Sequence, residues 1–138
     1  MRQISLTIDG KEITTGEGKT ILWAALDNGI YIPNLCAIRE KSEPFASCRV
    51  CFVEVEGEDE PVTACTQLVR EGMVVRLQGK TALRLARTAA ELLLSNHPLD
   101  CAHCEKRRAC ELLRIAKSLG IKVKTNRLKN LFGLALKL

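Results

Sequence analysis

Alternating apolar and polar positions open the chain. Between Gln3 and Asp9, Ile4, Leu6 and Ile8 share one face, the period of a half-buried strand. Asp9-Gly10 is a two-residue turn signal, so Lys11 to Thr15 is predicted to return as the second strand of a hairpin. Gly16-Glu17-Gly18 forms a loop, and Thr20 caps a short helix that Gly29 ends just after Asn28. Trp23 on that helix reads as a core residue. Pro33 keeps the stretch from Tyr31 to Leu35 extended, and the stretch from Ala37 to Ser47 has charge, Pro44 and no period, as a surface loop does. Phe52 to Glu56 alternates again, followed by an acidic turn, a short strand over Val62 to Ala64 and a last strand from Met73 to Leu77. The period then changes. Thr81 to Leu94 is helical, with Leu83, Ala86, Ala90 and Leu93 on one stripe. Leu85, Ala89, Leu92 and Leu94 flank that stripe, so most of the helix is expected to be buried. A second helix follows Cys110 as far as Leu119, with Leu112, Leu113, Ala116 and Leu119 on one face and Gly120 as its stop.

Composition narrows the class without naming a function. With 138 residues the chain can bury one core, or a domain and a small satellite. Apolar residues at 46% and charged residues at 27% describe a soluble globular chain, and no apolar run is long enough for a membrane span. The N-terminus goes directly into a strand pattern and not a secretory leader, so the expected location is cytoplasmic, without membrane insertion. Charge is divided unevenly: residues 1–79 carry a net −4 and residues 80–138 a net +9. The basic half is expected to be a solvated or partner-facing surface. One Trp, one Tyr and three Phe are too few to supply a row of base-stacking platforms, which argues against nucleic acid.

The chemistry lies in the cysteines. Cys36, Cys48, Cys51 and Cys65 are separated by eleven, two and thirteen residues, and a second set reads His97-x3-Cys101-x2-Cys104-x5-Cys110. In a reducing compartment seven thiols point to metal ligation, and an odd count fits a disulfide framework badly. Seven cysteines and one histidine fill two four-ligand sites with no thiol left over. The first set suits a 2Fe–2S centre, with a tight pair on a turn and single ligands arriving from separate segments, or an all-cysteine zinc site. The second set suits zinc or a 4Fe–4S cubane. His103 lies inside the Cys101-x2-Cys104 turn, where a side chain tends to point away from the metal; His97 is the assigned ligand.

Both motifs in tandem, over roughly residues 3–120, make the chain resemble the N-terminal iron–sulfur region of the large iron–sulfur subunit of NADH dehydrogenase. The same arrangement is shared with iron–iron hydrogenases and NAD-dependent formate dehydrogenases. The resemblance implies an α+β fold, in which a β-grasp ferredoxin-like domain holds one 2Fe–2S cluster through Cys36, Cys48, Cys51 and Cys65. A small helical segment would hold one 4Fe–4S cluster through His97, Cys101, Cys104 and Cys110. The expected division is a ferredoxin-like domain at 1–79, a helical cluster-binding segment at 80–120 and a basic, leucine-rich tail at 121–138 that docks on a partner. The family commonly has a glycine pair where Arg107-Arg108 stand here, a departure in the loop between ligands and not in the ligands. Its larger members continue into further cluster and catalytic domains, whereas no cysteine follows Cys110 in these residues.

No glycine-rich dinucleotide loop, Ser/His/Asp set or spare thiol nucleophile stands out. The expected role is therefore an electron-transfer subunit without substrate chemistry of its own. It would relay single electrons between larger redox subunits: a flavin-bearing, NADH-oxidising subunit, or a hydrogenase or formate dehydrogenase subunit. The alternative is a zinc-stabilised nucleic-acid-binding module that uses the basic half.

Overall fold

The computed structural model describes residues 2–97 and 104–123, the side chain of Arg107 excepted. Strands β1 (Gln3–Ile8) and β2 (Lys11–Gly16) form the expected hairpin, paired antiparallel from Gln3↔Gly16 to Ile8↔Lys11. Asp9 and Gly10 both take positive φ at its turn, which matches the turn twist to that of the strands. Helix α1 (Ile21–Asp27) follows, with the Thr20 hydroxyl accepting from the Trp23 N–H and Gly29 in the left-handed conformation just beyond Asn28. Strands β3 (Phe52–Val55), β4 (Val62–Thr63) and β5 (Val74–Arg76) complete a five-stranded sheet in the order β2-β1-β5-β3-β4. β5 runs parallel to β1 and antiparallel to β3, so the sheet is mixed and grips α1 in the manner of a β-grasp domain.

Alternation decides what the sheet buries. Ile4, Leu6, Ile8, Ile13, Val53, Val55 and Val75 meet Ile21, Leu22, Ala24 and Ala25 of α1 in the first core. The first turn of α1 is satisfied by the chain it packs on: the N–H groups of Ile21 and Leu22 donate to the carbonyls of Gln67 and Ala64.

A second core lies beneath helices α2 (Lys80–Ser95) and α3 (Glu111–Ser118). Here one expectation changes. The buried line of α2 is Ala82, Ala86, Ala90 and Leu94, one residue away from the expected stripe through Leu83 and Leu93. Leu92 is exposed and the helix buries one face, not most of its surface. Strict i, i+4 spacing of small residues lets α2 lie close on β3, and the bulkier leucines then flank the contact. The Glu54 carboxylate lies against Gly79 at the start of α2, where a Cβ would displace it. This puts a negative charge at a helix N-terminus that has no acidic residue of its own.

In α3 the buried residues are Ile115 and Ala116, with Leu119 just beyond, while Leu112 and Leu113 are half-buried. Gly120 takes φ +70 and ends the helix as expected, and a short 3₁₀ turn, Arg107–Ala109, precedes it. Arg114 of α3 stacks over the Tyr31 ring at 4.1 Å and ties this helix to the segment leading into Cys36. Ile121 and Val123 join the second core; the expectation for the rest of the tail, from residue 124, lies outside the described residues. Leu94 is 2% exposed at the centre of that core. Leu94→Ala should cost about 3 kcal/mol, read as loss of helix signal at lower urea in a protein that still carries its iron.

Candidate iron–sulfur site

Three separate stretches of backbone bring together Cys36, Cys48 with Cys51, and Cys65. Cys36 ends the extended segment after Pro33, held in place by buried Ile32 and by the Asn34 amide, which donates to the Ile32 carbonyl at 2.8 Å. Cys48 lies in a loop bracketed by two non-glycine residues at positive φ, Ala46 (52°) and Arg49 (59°). Each such residue costs about 1 kcal/mol or more, a cost met with at sites whose backbone must face a ligand. Cys51 immediately precedes β3, and its carbonyl accepts from the Ala64 N–H at 3.0 Å. Cys65 sits on the turn after β4, closed by the N–H groups of Thr66 and Gln67 donating to the Thr63 carbonyl. Cys48, Cys51 and Cys65 are 8%, 1% and 4% exposed, and Cys36 is half-buried.

The sulfurs fall into two neighbouring pairs, Cys36 with Cys48 and Cys51 with Cys65. Burial would raise the Cys36 thiol, but N–H donors from Cys48 and Ser47, with the Ser47 hydroxyl and the Cys48 thiol, bring it down to about 7. Cys51 and Cys65 are neighbours in the same way. Burial pushes Cys51 up to about 12 and raises Cys65 as well, and the neighbouring sulfurs add to the effect. Cys51 and Cys65 are therefore costly to ionise without a compensating positive charge. A metal core supplies that charge, since a coordinating thiol is deprotonated outright.

Among the described residues no three of His, Cys, Asp and Glu converge as ligands of a single ion would. Two neighbouring pairs of sulfurs are a donor set that Cys36, Cys48, Cys51 and Cys65 would offer to a binuclear centre. The residues present thus fit a 2Fe–2S group.

The downstream set is only partly described. His97 follows the end of α2 and is exposed, its N–H donating to the Leu94 carbonyl at 3.1 Å. Cys104 is exposed, while Cys110 is half-buried at the N-cap of α3. Cys101 and His103 lie outside the described residues.

Residues 1–80 match the 2Fe-2S iron-sulfur cluster binding domain. The chain belongs to this family. Residues 87–124 match the iron–sulfur binding region of NADH-ubiquinone oxidoreductase-G, so a 2Fe–2S domain is followed by a 4Fe–4S region. Among curated relatives, the NADPH-Fe(3+) oxidoreductase subunit alpha of Geobacter sulfurreducens is 46% identical over 117 residues, 85% of this chain and 14% of that protein. The NADP-reducing hydrogenase subunit HndD of Solidesulfovibrio fructosivorans is 43% identical, covering 88% of this chain and 22% of its own length. The mitochondrial NADH-ubiquinone oxidoreductase 78 kDa subunit of Neurospora crassa is 37% identical, over 80% of this chain and 15% of that protein. The chain therefore spans less than a quarter of these relatives. A crystal structure of an NAD+-reducing [NiFe]-hydrogenase superposes with a TM-score of 0.74 at 33% identity, covering 87% of this chain and 50% of that one.

Three features of the site escaped the sequence reading. Ala46 and Arg49 give no sign of left-handed backbone, and Ser47 looked like one more loop residue. Trp23 is a half-buried residue, not a fully buried one: it packs against the first core, and Arg39 stacks over its ring at 4.3 Å.

Proposed function

We propose that this chain is an electron-transfer unit that relays single electrons through a 2Fe–2S and a 4Fe–4S cluster between partner subunits of an oxidoreductase. The observation that carries the reading is the meeting of half-buried Cys36 with buried Cys48, Cys51 and Cys65, from three stretches of chain, in two neighbouring pairs. Cys36, Cys48, Cys51 and Cys65 would hold the 2Fe–2S cluster, and His97, Cys101, Cys104 and Cys110 the 4Fe–4S cluster. When bound, such clusters supply one-electron redox chemistry with little rearrangement. The chain's own contribution is to exclude water with two apolar cores and to aim N–H donors at sulfur. Donors on a cluster's sulfurs stabilise its more negative, reduced state and raise its potential.

The partners would be larger redox subunits; the relatives are themselves subunits of oxidoreductases or of a hydrogenase. The family match, the paired thiols and the absence of a converging single-ion site among the described residues favour this reading over a zinc module. The six described cysteines are all free, in keeping with a cytoplasmic location, and no described helix is long and apolar enough to cross a membrane.

Anaerobic titration with dithionite tests the relay. The chain should take up about two electrons, one per cluster, and show no NADH or hydrogen oxidation alone. Zero uptake, or turnover of NADH by the isolated chain, would contradict it.

Ile121 and Val123 join the second core, so the tail from residue 124 on would act as a docking arm, on the strength of its mix of basic residues with Leu128, Leu131, Phe132, Leu134, Leu136 and Leu138. Deleting residues 126–138 should leave iron content unchanged and weaken co-purification with the redox partner. Loss of iron or of soluble protein would instead favour a tail folded over the cysteine clusters.

A further inference from the structure

The two sulfur pairs face different parts of the molecule. Cys48 belongs to the second core and Cys36 packs against it, beside residues of α2 and α3 such as Ala86, Leu112 and Ile115. Cys51 and Cys65 belong to the first core. Alternation along the chain from Val50 to Val53 produces this split, since Val50 and Phe52 turn to the second core while Cys51 and Val53 turn to the first. The Cys36/Cys48 side is thus covered by the helices that carry the downstream ligand set. The other side opens outward: Cys65 lines a surface cavity of about 270 Å³.

That cavity is cationic. Lys19, Arg39 and Lys41 line it with Trp23 and Ile38, and no acidic side chain does, although Glu40 and Glu43 belong to the same loop. Asp27 pairs with Lys19 at 2.7 Å and with Arg39 at 3.0 Å, which orients both and leaves the group positive. Hydrogen bonds from Lys19, partly opposed by burial, and from Arg39 hold the Asp27 carboxyl below its usual range. Residues 1–79 carry a net −4, so this positive spot is opposite in sign to the domain around it. Its rim is apolar. Ile38 is 47% exposed, Phe45 next to Pro44 is 55% exposed, and Leu68, bridged to Thr20, is 53% exposed. A volume at the lower edge of the small-molecule range, a positive centre and an apolar rim together fit a carboxylate side chain presented by a protein surface.

We propose that this cavity is the port through which the 2Fe–2S site exchanges electrons with an outside partner, and that the partner is a redox protein docking through an acidic patch. One electron crosses beside Cys65 and no bond forms or breaks; the partner is reduced or oxidised by one equivalent. The opposite, Cys36/Cys48 side serves transfer within the chain. Lys19, Arg39 and Lys41 steer the acidic partner into register, and the apolar rim excludes water from the contact. The proposal rests on Cys36, Cys48, Cys51 and Cys65 being the 2Fe–2S ligands.

Stopped-flow kinetics at the 2Fe–2S absorbance of the full, cluster-loaded chain test it. The probes are reduction by the hydroquinone of an acidic flavodoxin and oxidation by ferricyanide or by hexaammineruthenium(III). Arg39→Glu and Lys41→Glu are compared with Lys11→Glu, at the far end of β2 from Gly18 and Lys19. The port variants should slow flavodoxin and ferricyanide about 3- to 10-fold at low salt and speed the cationic ruthenium complex, whereas Lys11→Glu should change none. High salt should level the differences. Equal rates in all variants would place the exit elsewhere and overturn the port. Slowing of ferricyanide with unchanged flavodoxin would overturn protein docking in favour of a small-anion site. A chain without 2Fe–2S absorbance at the outset would overturn the ligand reading itself, and the port with it.

Discussion

Cys51→Ala should abolish the 2Fe–2S centre, leave the 4Fe–4S centre in place and lower the iron content from about six to about four atoms per chain. Cys51 is 1% exposed and stands where the irregular loop enters β3, so no water can reach its place to act as a substitute ligand. The loss would also be felt in stability. Burial already raises the thiols of Cys51 and Cys65, and the metal core is what makes ionised sulfur tolerable there. Where ligands are costly to hold together, binding free energy acts as folding free energy. The variant should therefore unfold at a clearly lower temperature than the parent. Cys36→Ser makes the informative contrast. That position is half-buried and has N–H donors from Ser47 and Cys48 that would favour an anionic oxygen as they favour sulfur. A 2Fe–2S signal should survive there with a shifted spectrum. Paramagnetic resonance of both reduced variants checks this. Equal loss in the two would mean that depth and N–H donors do not matter to the site.

His97→Cys should lower the potential of the 4Fe–4S centre, and His97→Ala should remove or disturb its signal without touching the 2Fe–2S signal. A neutral imidazole leaves the cluster one unit less negative than a fourth thiolate would. Exchanging one for the other shifts the potential by on the order of 100 mV, judged from the effect of imidazole ligands in 2Fe–2S proteins. His97 is exposed beyond the end of α2, so neither change opens a cavity in the core beneath Leu94. Folding should be kept and the effect read at the cluster alone. His103→Ala is the control and should leave both signals nearly unchanged. A potentiometric titration decides between the histidines, and the reverse pattern would assign His103 as the ligand.

Much of the fold was legible because local rules and tertiary packing agree. Ile4, Leu6 and Ile8 alternate as they are buried, Thr20 caps α1 and Gly29 and Gly120 end their helices. The pairing of β5 with β1 was not legible, because strand order is set by contacts between distant segments that no local period encodes. The buried line of α2 was missed by one residue for a related reason. Hydrophobicity ranks Leu83 and Leu93 above Ala82 and Ala86, whereas close approach to β3 selects the small residues. In the site, cysteine spacing singled out the proposed ligands, and structure added the neighbouring pairs Cys36/Cys48 and Cys51/Cys65. Nothing in the types Ala46 and Arg49 announces a left-handed backbone; they flank Ser47 and Cys48, whose N–H groups serve Cys36.

The central claim is that one chain carries two different iron–sulfur clusters. Anaerobic purification, followed by metal analysis and paramagnetic resonance of the dithionite-reduced protein, tests it most directly. The account predicts about six iron atoms per chain and two distinguishable signals, one from each cluster. Zinc in place of iron, or a single signal with about two or about four iron atoms, would contradict it.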